Sequence, residues 1–74
     1  MNKFICAKEI AKKYRLSYQK VNRYVDIGLL NVVLREGNKR LLNRQQVAKR
    51  LRQISFLSQE GYSLRLIRKK LIGI

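Results

Sequence analysis

The chain has 74 residues, enough for one domain, taken here as residues 1–74, with a single modest core. Eighteen Lys and Arg face four acids, Glu9, Asp26, Glu36 and Glu60, for a formal net charge of +14, and there is one cysteine, Cys6, and no histidine. That composition leaves no internal disulfide, no ordinary zinc site and no His-centred catalytic constellation, so no cofactor and no metal is expected and the chain is not read as an enzyme.

Self-repulsion at this charge is relieved by a polyanion. The basic residues are spread through the chain rather than gathered in a tail, which favours nucleic acid over an anionic membrane surface. Met1 to Ile5 is too short for a signal peptide and no apolar run approaches about 18 residues, so a cytoplasmic, nucleoid-associated protein of bacterial or phage type is expected.

In chain order, Ala7, Ile10, Ala11 and Tyr14 recur at helical spacing with Lys8, Lys12 and Lys13 between them, which predicts a short amphipathic helix. Cys6 and Glu9 stand at capping-box spacing before it. Arg15-Leu16 reads as a turn. Ser17 can then cap a second helix that Gly28 ends in a left-handed turn.

At about 100° per residue, Val21, Tyr24 and Val25 fall on one side of that second helix, and Gln19, Asn22, Arg23 and Asp26 on the other, flanked by Tyr18 and Lys20. Amide and guanidinium groups are the donors and acceptors that read base edges, so this face is a candidate major-groove reader. A solvated amphipathic helix fits the same pattern. Two short helices with so brief a joint form a helix-turn-helix pattern. Asp26 would be repelled by phosphate, which places the N-terminal half of the second helix deepest in a groove.

Leu29 and Leu30 are core candidates. The period then changes: Val32–Arg35 and Lys39–Leu42 flank the turn signal Glu36-Gly37-Asn38, which predicts a hairpin. Arg35, Asn38, Lys39 and Arg40 make it a basic wing suited to phosphates; a solvated hairpin with charged edges is the alternative. Asn43 and Gln46 stand at capping-box spacing before the longest helical pattern, through about Gln59, with Val47, Ala48, Leu51, Ile54 and Leu57 as its buried stripe and Lys49, Arg50 and Arg52 solvated. Gly61 breaks that pattern. Ser63 can cap a last helix whose Leu64, Ile67, Leu71 and Ile74 read as core. Tyr62, Ser63 and Arg65 cluster at the joint, where a helix start can seat a phosphate, although Tyr62 can equally be packing. The fold class expected is mainly α with a short β-hairpin, a winged helix-turn-helix of about four helices plus one wing.

This order of elements, with Ile10-Ala11, Leu16-Ser17, Tyr24, Gly28-Leu29-Leu30, Gly37, Arg40 and Gly61-Tyr62-Ser63-Leu64 at its joints, resembles the DNA-binding domain of the MerR family from Phe4 to about Leu71. The resemblance implies that the second helix enters the major groove while the wing and the corner before the last helix grip the backbone on either side. Position by position, Ser17, Lys20 and Tyr24 match helix residues that touch DNA in that family, Arg40 matches the wing arginine, and Tyr62 and Ser63 match the second corner. There are departures. Asn22 and Arg23 stand where the family favours an arginine followed by an aromatic, Val25 replaces an acid, and Leu42 replaces the wing aromatic. Family regulators continue into a long dimerising helix and an effector domain, so the chain is expected to be either a DNA-binding fragment or akin to the small stand-alone members.

Together these readings lead to a sequence-specific double-stranded DNA-binding protein, a transcriptional regulator, whose DNA contacts are Ser17, Tyr18, Gln19, Lys20, Asn22, Arg23, Tyr24, Arg35, Asn38, Lys39, Arg40, Tyr62, Ser63 and Arg65. The alternative is an excisionase-like or architectural factor that acts in cooperative, head-to-tail arrays. The partners expected are duplex DNA and either a second copy or another DNA-bound protein, with no membrane and no small-molecule effector site. RNA fits the charge but not the placement of the aromatics.

Overall fold

The computed structural model describes residues 2–73, so Ile74, expected in the core, lies outside the described residues. The chain runs β1 (Phe4–Cys6), α1 (Ala7–Tyr14), α2 (Tyr18–Asp26), β2 (Val32–Glu36), β3 (Lys39–Asn43), α3 (Arg44–Gln59) and α4 (Leu64–Ile72). Four helices and a small sheet thus form the winged helix-turn-helix that the periodicity predicts. One element was not foreseen. The residues before α1 form a strand, and the sheet has the order β1-β3-β2, antiparallel throughout. Phe4 faces Asn43 and Cys6 faces Leu41, so the return strand of the wing lies in the middle of the sheet. A three-residue strand next to a helix start has too little periodicity to be seen in sequence.

Local start signals behave as their chemistry dictates. The Ser17 hydroxyl accepts from the Lys20 N–H at 3.0 Å, Asn43 Oδ1 from the Gln46 N–H at 2.9 Å, and the Ser63 hydroxyl from the Leu66 N–H at 3.3 Å. At α1 the Glu9 carboxylate accepts from the Cys6 N–H at 3.1 Å. The box expected at α3 closes only on one side: the Gln46 amide does not return to Asn43, and its oxygen and nitrogen are buried without a hydrogen bond.

One apolar cluster joins every element. Ile5, Ala7, Ile10, Val21, Tyr24, Leu29, Leu30, Leu42, Val47, Leu51, Ile54 and Ile67 are buried, and among the described residues no charged side chain is. Leu42 is wholly buried beneath the central strand of the sheet. The stripe expected along α3 is buried at Val47, Leu51 and Ile54 and half-buried at Ala48 and Leu57.

The joint after α2 carries the most constraints. Gly28 has φ +87°, its N–H donates to the Val25 carbonyl, and the N–H groups of Leu29 and Leu30 both donate to the Tyr24 carbonyl. This turn reverses the chain so that Leu29 and Leu30 enter the core. Helix α4 clamps the same joint: Arg68 Nε donates to the Ile27 carbonyl at 2.7 Å, and a Cβ on Gly28 would meet Ile72 Cδ1 at 3.3 Å. The turn between α1 and α2 is made differently. Arg15 takes the left-handed conformation, φ 56° and ψ 44°, where a glycine is the residue without steric cost.

These two turns predict opposite effects. Gly28→Ala is expected to lower stability by about 1–3 kcal/mol, because a side chain must adopt positive φ while pressing on Ile72. Arg15→Gly is expected to raise stability by about 1 kcal/mol by removing the left-handed penalty. Urea unfolding of the two variants against the parent checks both signs.

Candidate nucleic-acid interface

The apolar side of α2 faces inward, with Val21 and Tyr24 buried and Val25 half-buried. Tyr18, Gln19, Lys20, Arg23 and Asp26 are exposed. The helix therefore shows solvent the polar face that the sequence assigns to it, rigidly held because its other face is core. Ser17 spends its hydroxyl on the Lys20 N–H. Tyr24 is only 5 % exposed and burial pushes its phenol pKa up, so its ring packs in the core while the residue also lines the adjoining groove.

Two concavities flank the start of α2. On one side a groove of about 680 Å³ lies between α2 and the α3–α4 corner; its walls include Tyr14, Lys20, Tyr24, Arg52, Tyr62 and Leu64. Three tyrosines and two cations meet there. On the other side a smaller cleft of about 200 Å³ is lined by Cys6, Ala7 and Lys8 from the end of β1 and first turn of α1, by Tyr18, and by Asn38, Lys39 and Arg40 of the wing. Helix α2 is thus bracketed by the wing turn on its Tyr18 side and by the α3–α4 corner on its Lys20 side.

The wing hairpin turns at Gly37-Asn38, with Gly37 at φ +62°. Its register sets Arg35 opposite Arg40 and Glu36 opposite Lys39. Like charges directly across a pair of strands are destabilising unless something separates or neutralises them. Arg40 is half-buried and one of its terminal N–H groups donates to Asn22 Oδ1, which ties the wing to α2. Asn22 and Arg40, expected to act separately on DNA, are therefore brought together as one unit. Arg35, Asn38 and Lys39 remain exposed.

At the second corner Gly61 has φ +95° and the Tyr62 N–H donates to the Leu57 carbonyl. Tyr62, 38 % exposed, lies under the Lys70 ammonium at 4.6 Å from the ring centroid, so it is packed by a cation as well as facing the groove. Ser63 caps α4, and Arg65 is exposed. Arg52, read as merely solvated, lines the same groove as Lys20. The sequence offered no signal for that, because the neighbourhood of α2 and α3 is made by tertiary packing.

Glu9 is the acid most bound up with this surface. Its hydrogen bonds with Cys6, first through the backbone and then through the side chain, hold its pKa below the usual value, and the charges of Arg44 and Lys39 add to the effect. Among the described residues no three metal-ligating side chains come together, and no helix is long and apolar enough to cross a membrane.

Searches of the curated proteins and of the solved structures return no match. The family model described as MerR HTH family regulatory protein matches residues 7–73, from the first residue of α1 to the end of α4. With that match covering nearly every element of the winged helix-turn-helix, the chain belongs to the MerR helix-turn-helix family of regulatory proteins.

Proposed function

We propose that the protein is a sequence-specific double-stranded DNA-binding regulator of transcription. Its polar α2 face enters the major groove, and basic groups on both sides hold the phosphate strands. The observation that carries this reading is the bracketing of α2 between the wing turn and the α3–α4 corner. Gln19, Lys20 and Arg23 lie on the exposed face and carry base-edge chemistry. Tyr18, Arg35, Asn38 and Lys39 on one side, and Tyr62, Ser63 and Arg65 on the other, act on the backbone. Asn22 acts through Arg40, holding the wing at a set distance from the helix. Phosphate between Arg35 and Arg40 removes the repulsion that their register imposes.

A second reading, a factor that coats DNA in cooperative arrays, is favoured by the open edge of β2, which carries Val33 and Leu34 exposed. Footprints that lengthen cooperatively with protein concentration support it; independent filling of separated sites refutes it.

If about six to eight phosphates are neutralised, log affinity should fall with log salt at a slope of about −5 to −7 in gel-shift titrations, whereas a slope near zero rules out duplex binding. Selection from random duplexes should return a defined site. Against that site Arg23→Ala is expected to relax base preference at one position, at a cost of about 1–3 kcal/mol, while Arg35→Ala should weaken all duplexes alike and reduce the slope by about 1. Parent-like binding by both variants would show that the face is misassigned.

A further inference from the structure

We propose that the cleft between the first turn of α1, the start of α2 and the wing turn seats one backbone phosphate of duplex DNA, with Lys8 as a phosphate contact of its own. The proposal rests on the reading of α2 as the groove-facing helix and adds a third element, α1, to the grip.

The lining of the cleft is chemically one-sided. Lys8, Lys39 and Arg40 are its charged residues, Tyr18 adds a phenol and Asn38 an amide, and no acid takes part. Each donor comes from a different part of the chain: Lys8 from α1, Tyr18 from α2, and the rest from the wing. Three cations around one concavity repel one another, and a phosphodiester oxygen pair relieves all three at once.

The arrangement is also held in advance. Asn22 accepts one guanidinium N–H of Arg40, which fixes the half-buried group at the cleft while leaving it further donors. Strand β1 pairs with β3, and so brings the first turn of α1 to the wing. That turn has backbone N–H groups with no intrahelical acceptor. The Glu9 carboxylate does not line the cleft: it accepts from the Cys6 N–H, and the Lys39 charge reaches it only as a minor effect. A duplex on the exposed face of α2 carries a phosphate strand past the Tyr18 side of that helix, where the cleft lies.

Cys6 lines the same cleft, is half-exposed and is the one cysteine of the chain, so its alkylation reports on the site. The test uses the full chain and a duplex selected from a random pool. Lys8→Ala should bind about five- to tenfold more weakly, with the salt slope reduced by about 1. Lys49→Ala, which removes the same charge from an exposed position on α3, should leave both within twofold. Melting curves of the two variants matching the parent confirm that neither effect comes from unfolding. In the parent, maleimide alkylation of Cys6 should slow at least tenfold in the DNA complex.

An unchanged slope for Lys8→Ala, or an unchanged alkylation rate in the complex, overturns the proposal while DNA binding itself stands. Protection of Cys6 by inorganic phosphate alone, equal to that by DNA, also overturns it, since the cleft would then be a site for a free anion. If the parent binds no duplex, the reading of α2 fails and the cleft proposal fails with it.

Discussion

The joint at Gly28 is the constraint on which the rest of the structure depends. A left-handed glycine lets the chain leave α2 and drop Leu29 and Leu30 straight into the core. Helix α4 then closes over that joint through the Arg68 bond to the Ile27 carbonyl and the contact of Ile72 with the glycine. The orientation of α2 is set by three things that must agree: the turn, the two leucines and the clamp. The groove-reading role proposed for α2 requires its side chains to be held in place before DNA arrives, and its buried face and C-terminal end are both fixed by packing.

The charge distribution follows from the same economy of space. So small a domain has one core, and among the described residues those buried in it are all apolar or aromatic. The lysines and arginines are left to the surface, where a net charge of +14 works against compactness. The sheet makes this local and specific. Arg35 opposite Arg40, and Lys8 brought up to Lys39 and Arg40, are arrangements that stand in the free protein at a cost. In the proposed complex phosphate turns that cost into binding.

The contact between Asn22 and Arg40 gives the departures from the family pattern a physical meaning. Asn22, which stands where the family favours an arginine, offers an amide oxygen that reaches the wing, and Leu42, in the place of the wing aromatic, fills the core. The wing is therefore coupled to α2 through a hydrogen bond between side chains. Arg23 remains exposed on the outer face, which is why the proposed function gives it the base preference.

Much of this was legible in the sequence. Helical periodicity, capping residues and glycines are local signals, and they marked all four helices and the hairpin because each depends on neighbours a few residues away. The exposed face of α2 was legible for the same reason, since its buried and polar sides separate at helical spacing. Strand β1 was not, because a three-residue strand acquires its identity only by pairing with β3 some forty positions later. Tyr24 shows the limit within a recognised helix: its spacing is compatible with core or interface, and burial decided for the core. The partnership of Asn22 with Arg40, the arrival of Lys8 and Cys6 at the wing turn, and the shared groove of Arg52 and Lys20 join residues far apart in the chain. The sequence by itself determined which segments are helices, which faces are polar and how much positive charge they carry. Only the tertiary structure decided which of those charges stand together, because that depends on how the elements pack rather than on the spacing within any one of them.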